Sequence, residues 1–404
     1  MPEDPRPDFE PWWPVCVEQD CRAAQAVERR CLVHATDLSG LTPGDDLDLS
    51  GAVIDSARLA EVLGRFRDHE AKRFVFGQVR CDFTWFSGRA WFVDAEIKGT
   101  ASFRNAHFSQ LARFDGVDCV AEMTFEEAHF EGKTLMSPMT ARGIDLQRAR
   151  FATRVQIDAA TAGLVCASTR FEGGVTISMT VPGSEVHANG VHLGAPSTIA
   201  TAKVISLVGS DVSNLVLAET DLSECRFLGA HRLEQLRIDG RTWFARPAGA
   251  WRARRRMLAE ERDEDPSRVS AVYRALRKSF EDSKNEPGAA DFYYGEMECR
   301  RHSDMSSRNE RVILWFYWLL SGYGQRASRA LIALVLVIAV VAGLLTVLGQ
   351  DFGMAARTAM GAVVFRDDRT DLTAAGEWML LVARLLGPLL LAMAVLAIRT
   401  RVKR

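Results

Sequence analysis

Residues 90–114 read AWFVDAEIKGTASFRNAHFSQLARF, and this stretch decides the fold. A small residue precedes a large apolar one by two positions in Ala90-x-Phe92, Ala95-x-Ile97, Ala101-x-Phe103, Ala106-x-Phe108 and Ala112-x-Phe114. The pairs advance alternately by five and six residues. Phe92, Phe103, Phe114 and Phe125 therefore fall 11 apart, as do Ile97, Phe108, Cys119 and Phe130. About one coil later the pattern recurs at Leu146 and Phe151, where Ala149-x-Phe151 keeps the pair intact. A helix repeating every ~3.6 residues does not generate this spacing. A solenoid does, with a coil of roughly 20–22 residues, large apolar side chains stacked inside and a small residue at each corner.

The pattern extends over residues 74–230. It is crisp to Phe130, persists to Phe171, loosens across Val181–Val208 and returns at Leu217, Leu222 and Phe227. This predicts about seven coils, irregular near the middle. Residues 46–73 hold a short strand (LDLSGAVID) and a helix from Ser56 with Leu59, Val62, Leu63 and Phe66 on one face. They are expected to cap the solenoid, since stacked repeats need a polar end unit.

Residues 1–45 are irregular and hold three of the eight cysteines. Cys16-x4-Cys21-x9-Cys31-x2-His34 offers three thiolates and an imidazole, a donor set that suits structural Zn²⁺ in tetrahedral geometry. A segment of this length has little core of its own, so a metal would account for its order. Four protein ligands would leave no open position for catalysis. The alternative reading is free thiols beside a surface histidine. The first residues, MPEDPRPDFEPWWP, lack the apolar run of a secretory signal. A reducing cytoplasm, without disulfides, is the expectation for the soluble body.

After Arg237 the character changes. Residues 231–326 are expected to be a helical juxtamembrane region, with helices at Trp251–Glu261, Val269–Lys284 and Ala289–His302, the last two forming a hairpin across Asn285-Glu286-Pro287-Gly288. The basic run Arg252, Arg254, Arg255 and Arg256 suits either lipid head groups or a solvated helix face. Residues 327–404 are read as a two-span hairpin. Ala330–Leu348 is uncharged, and Trp378–Ile398 carries only Arg384. Arg308, Arg311, Arg326 and Arg329 precede the first span, and Arg399, Arg401, Lys403 and Arg404 follow the second. The positive-inside rule then places the body and the C-terminus in the cytoplasm of a multi-pass protein of the cell membrane. Trp315, Phe316, Tyr317, Trp318 and Tyr323 suit an interfacial helix. Met354–Phe365, in the connector, is expected to lie on the membrane surface. Gly387-Pro388 is expected to kink the second span.

The five-residue rhythm resembles the pentapeptide-repeat family, which implies a right-handed quadrilateral β-helix. The alternating five/six step departs from a strict five, and a triangular β-helix of bactofilin type is the structural alternative. Cys31-Leu-Val-His34, Tyr273–Lys278 (YRALRK), Glu281–Met297 and the paired spans resemble an actinobacterial membrane-attached subgroup. That resemblance implies no established biochemical role. Some members of the wider family mimic DNA with a strongly acidic face. Here residues 72–230 carry 15 Lys and Arg against 17 Asp and Glu, which argues against that role and against a nucleic-acid partner.

No nucleotide-binding, nucleophile-elbow or zinc-protease motif is present, so the chain reads as non-enzymatic. The expected function is a membrane-anchored scaffold presenting a cytoplasmic β-helix for protein–protein interaction. Its partners would be the bilayer, a cytoplasmic protein and further copies of itself. The second reading is an oligomeric two-span channel gated by the solenoid, although no T-x-G-x-G filter follows the connector helix.

Overall fold

The computed structural model describes residues 9–247, 255–363 and 374–402. They form two compact units. The first comprises Met1–Asp263 with Lys278–Ser283, the second Glu264–Arg277 with Lys284–Arg404.

The first unit is a β-solenoid of about eight turns. Parallel ladders of different lengths form four sides. One joins Val53, Trp85, His107, His129, Arg150, Arg170 and His192 in a seven-stranded sheet. A second joins Leu47, Val79, Ala101, Met123, Ile144, Leu164, Val186 and Val204. A third joins Phe76, Ile97, Cys119 and Ala141. The fourth starts at Ala90, Ala112 and Thr134, and neighbouring Leu135 carries it on to Gln156, Thr176, Thr198, Val216 and Arg237. Four ladders make four sides, which removes the triangular alternative.

The core follows from the two-residue alternation of strands. Phe92 is buried whereas Trp91, one residue earlier, is 47% exposed. Phe86, Phe108, Phe130 and Phe151 stack face to face at centroid distances of 4.7, 4.6 and 4.6 Å. These match the ~4.8 Å strand spacing, so each ring sits on the one a coil below. The row of phenylalanines 11 apart divides into two columns on different sides. Phe92 stacks on Phe114 and Phe103 on Phe125. Backbones also close up at Gly132, where a Cβ would lie 2.2 Å from the Gln110 carbonyl oxygen of the previous coil.

The ladders run beyond residues 74–230. Leu47–Asp48 already pairs with Val79–Arg80, and Leu222 pairs with Phe244. The stretch expected to be only a cap thus opens the first coil, and helix α1 (Ser56–Arg65) is an excursion from it. That insertion separates Val53 from its partner Trp85 by more than one coil length. Asp55 caps α1 through the Arg58 N–H.

The expected irregularity across Val181–Val208 is not a break. Strands at Glu185–His187, His192–Leu193, Ser197–Ala200 and Lys203–Ser206 keep the ladders, with one register shift at Val186/His187. The inward positions there are Val186, Leu193, Ile199 and Val204, so only the Phe signature is missing.

Past the last coil the expected helix at Trp251–Glu261 does not form among the described residues. Met257 bridges to Ala245, and a 3-10 turn follows at Ala259–Arg262. Arg252 and Arg254 of the basic run lie outside the described residues, while Arg256 lies over the rings of Phe244 and Phe280. Glu260, which the sequence did not single out, closes this end. Its buried carboxylate accepts the backbone N–H groups of Phe227 and Leu228, which no further coil can pair.

Burial pushes the Glu260 carboxyl above the usual carboxylate range, against the two N–H bonds that favour its charged form. A group with a raised folded pKa holds its proton more tightly when folded. Its contribution is therefore present at acid pH and declines as pH rises from the ordinary glutamate value through the raised one. Glu260→Ala should cost about 1–3 kcal/mol by orphaning the two donors, and should flatten that part of the stability–pH profile. Denaturant unfolding of the detergent-solubilised chain across pH checks both.

The second unit contains most of α2 (Pro266–Asp282) and all of α3 (Glu286–His302), α4 (Arg308–Ser321), α5 (Ala327–Val347), α6 (Phe352–Val363) and α7 (Ala374–Val402). Asn285 caps α3 with Pro287 in its first turn. The α2–α3 hairpin is locked by buried Glu296, which accepts from Arg274 at 2.9 Å and Arg277 at 2.8 Å. Tyr273 packs on Gly295, where a Cβ would meet the ring at 2.4 Å. Trp315 and Phe316 of α4 are exposed, and Trp318 is clasped between Arg301 and Arg329.

Helix α5 and the stretch Gly376–Val395 of α7 are long and apolar enough to cross a membrane. Helix α7 continues unbroken through Pro388. Arg384 is half-buried on it. Helix α6 packs against both α5 and α7 instead of lying apart from them.

Candidate metal centre

The Cys-rich segment is built from tight turns held against the first coil. Cys16 N–H donates to Ala23 O at 2.8 Å and Val17 N–H to Arg29 O at 3.1 Å, folding the segment back on itself. Asp20, Glu28 and Arg29 adopt positive φ at the reversals. Cys31 and His34 share one turn, where Cys31 O accepts from His34 N and Ala35 N.

Three anchors fix the segment. Ala24 N–H reaches Ser50 O at 2.8 Å. Arg58 of α1 donates from Nε and Nη2 to Leu32 O at 3.0 and 2.7 Å, and also to Ala35 O. Phe9 stacks on Phe83 of the solenoid, and Trp13 donates to Arg22 O. Gly51 lets this approach happen. It sits at φ +67°, and a Cβ there would lie 2.7 Å from Arg22 O and 2.9 Å from the Trp13 ring.

The four sequence candidates converge. The ligand atoms of Cys16, Cys21, Cys31 and His34 all lie within 4.8 Å of one another. Cys16 Sγ is 3.6 Å from His34 Nδ1, Cys31 Sγ is 3.4 Å from it, and Cys21 Sγ is 3.8 Å from Cys31 Sγ. A tetrahedron with bonds of ~2.3 Å to sulfur has edges of about 3.7 Å, so these separations fit a shared ion. All eight cysteines are free thiols. Cys31 is held below the usual thiol range by its hydrogen bond with Cys21, helped by the backbone N–H groups of His34 and Val33. Cys21 is correspondingly raised. A site that concentrates thiolate character at one buried sulfur suits a cation.

The donors sit in graded exposure. Cys16 and Cys31 are buried, Cys21 is partly so and His34 faces solvent. The residues could hold a metal ion, with Arg58 as the support that sequence reasoning missed. A lone arginine on a predicted capping helix gave no signal of a role 26 residues upstream. Of the five other cysteines, Cys299 is buried on α3, while Cys81, Cys119, Cys166 and Cys225 are buried inside the solenoid, where burial pushes their thiols up. They act there as small apolar residues.

A four-sided β-solenoid built on a five-residue rhythm defines a class, and the family comparison names it. Residues 85–129 match the family model of pentapeptide repeats, with nine copies. The solenoid of this chain is a pentapeptide-repeat solenoid. The match covers the crisp part of the pattern, and the ladders carry the same path onward to Phe244. No curated protein and no solved structure matches the chain.

Proposed function

We propose that this chain is a membrane-anchored, non-enzymatic scaffold. Its pentapeptide-repeat solenoid presents rigid outer faces to a cytoplasmic protein partner. The observation that carries this reading is the run of parallel ladders from Leu47 to Phe244, which fixes outward side chains at a regular spacing. Helices α5 and α7 supply the anchor, and the charge bias of their flanks favours a cytoplasmic body. The Cys16, Cys21, Cys31 and His34 set holds a structural Zn²⁺ in this reading, ordering the segment that covers the first coil.

Cross-linking of the full-length chain in its native membrane, followed by mass spectrometry, tests the scaffold. The expected result is a defined protein joined through outward residues of the solenoid, such as Lys98, Lys133 or Lys203. Cross-links confined to lipid-embedded neighbours of α5 and α7 would end the reading.

A further inference from the structure

Helix α4 is apolar on two sides, and protein covers only one of them. Leu314, Tyr317 and Trp318 turn onto α3, where they pack with Tyr293, Tyr294 and Met297. Tyr323, just past the helix, joins this cluster, and its hydroxyl donates to Glu298 at 3.2 Å. Three of the five aromatics that suited an interfacial helix therefore face protein. The other two, Trp315 and Phe316, share the opposite arc with Val312, Ile313 and Leu319, and these five are 44–67% exposed. A contiguous apolar arc of this kind marks a docking surface.

Continuity, depth and charge say what covers it. Helix α4 ends at Ser321 and α5 begins at Ala327, where the exposed apolar residues start at Leu331 and Ile332. The uncovered residues of α4 thus lead along the chain into those of a helix long and apolar enough to cross a membrane. Leu320 packs against the cluster of Leu334 on α5 and Leu390 on α7. Leu334 lies five residues past Arg329, about 8 Å along the axis. With Arg329 at the head groups, the end of α4 reaches the depth to which an interfacial helix sinks its apolar face, about 5–10 Å.

The charge is one-sided. Residues 298–329 carry Arg300, Arg301, Arg308, Arg311, Arg326 and Arg329 against Glu298, Asp304 and Glu310, a net of +3. Trp318 Nε1–H donates to the Tyr294 hydroxyl at 3.0 Å, which joins the two rings into one platform. Arg301 and Arg329 lie over Trp318 at 4.7 and 5.1 Å, and Arg326 lies over Tyr294 at 5.9 Å. Three guanidinium groups therefore gather where α3 and α4 meet the start of α5, a donor set that suits phosphate. Basic clusters beside a span attract anionic lipid. A second copy of this chain would bring the same positive excess to the contact, which disfavours it as the cover.

We propose that α4 lies in the head-group layer of the bilayer with Val312, Ile313, Trp315, Phe316 and Leu319 in the acyl boundary, and that the arginines around Trp318 and Tyr294 hold anionic lipid there. The proposal rests on the reading of α5 as a span, and the test separates the two.

The full-length chain is placed in liposomes of phosphatidylcholine and phosphatidylglycerol, with a fluorescent non-natural amino acid at Ile313 or Phe316 of α4, or at Val335 of α5. All three positions are exposed, so the label leaves the buried packing intact. Lipids brominated near the head group or deep in the chain then report depth. Residues 313 and 316 should be quenched best by shallow bromines, and residue 335 by deep ones. Quenching at 335 with none at 313 and 316 would overturn the proposal and leave the anchor reading intact. No quenching at 335 would overturn the anchor reading and the proposal with it. Brominated phosphatidylglycerol should quench residue 316 about two-fold more than brominated phosphatidylcholine at equal content. Equal quenching by the two lipids would overturn the anionic preference. The double variant Arg326→Gln and Arg329→Gln should lose that difference while residue 335 stays deeply quenched. A difference that survives in this variant would overturn the assignment to these arginines.

Discussion

Phe114→Ala should lower the stability of the solenoid by about 3–5 kcal/mol, the usual cost of deleting a buried aromatic ring and leaving its cavity. Phe114 is fully buried. It stacks on Phe92 at 5.5 Å and meets Phe103, Phe108 and Phe125 edge-on at 5.2, 5.8 and 5.0 Å. Each coil touches only its neighbours, so the four rings cannot collapse into the gap without shifting two ladders at once. A loss of this size is a large share of what a domain holds in total. The matched control is Trp91→Ala. Trp91 is as bulky but faces outward, so its removal should change stability by about 0.5 kcal/mol or less. Denaturant midpoints of the detergent-solubilised chain, followed by far-ultraviolet circular dichroism, compare the two. Equal effects would mean that the inward columns are not what holds the coils.

If the Cys16, Cys21, Cys31 and His34 set holds zinc as proposed, Cys31→Ser should remove it and release the N-terminal segment. Cys31 is the natural choice because its sulfur lies 3.4 Å from His34 Nδ1 and 3.8 Å from Cys21 Sγ, at the centre of the donor set. Structural zinc sites contribute on the order of 10 kcal/mol to the order of small segments, and one lost thiolate opens a closed tetrahedron. The expected readout is one zinc per chain in the parent and none in the variant. Proteolysis should become fast within residues 9–45 while the coils from Leu47 onward stay protected. Arg58→Ala should give a milder form, keeping zinc but loosening the turn whose Leu32 and Ala35 carbonyls it holds. A parent chain that purifies without zinc from a zinc-replete culture, or a Cys31→Ser chain that keeps it, would remove the metal reading.

Much of the fold was legible because its signals are local in period. Ala-x-Phe at five- and six-residue steps reports one side of a coil at a time, and stacking identical sides only repeats it. The coils at Glu185–Ser206 were harder to see because Val, Leu and Ile fill the same inward positions without a distinctive signature. The first coil was hidden for another reason. Helix α1 interrupts it, and a period cannot be counted across an insertion. The four candidate donors were legible as residue types, but their spacing follows no common knuckle. Only the turns at Asp20 and at Glu28–Arg29 show how the chain brings them within 4.8 Å.

Helix α6 marks the limit of reading by composition. Its apolar and polar residues suit a membrane surface as well as a helix interface. The face of Ala355, Thr358, Ala359 and Ala362, at helical spacing of three and four, was the available signal for close packing. Glu260 and Glu296 lacked even that, since the partners of a buried carboxylate are set by distant segments.

By itself, the sequence determined the solenoid, the donor set and the two apolar spans, because each rests on a period, a residue chemistry or a length that the chain carries locally. Tertiary structure decided where the coils begin and end, that the four donors meet, that Glu260 closes the last turn and that α6 runs between the spans. Those depend on which backbones come within a few ångströms, as at Gly51 against Arg22 and at Gly387 against Val363, and no local pattern encodes the far partner.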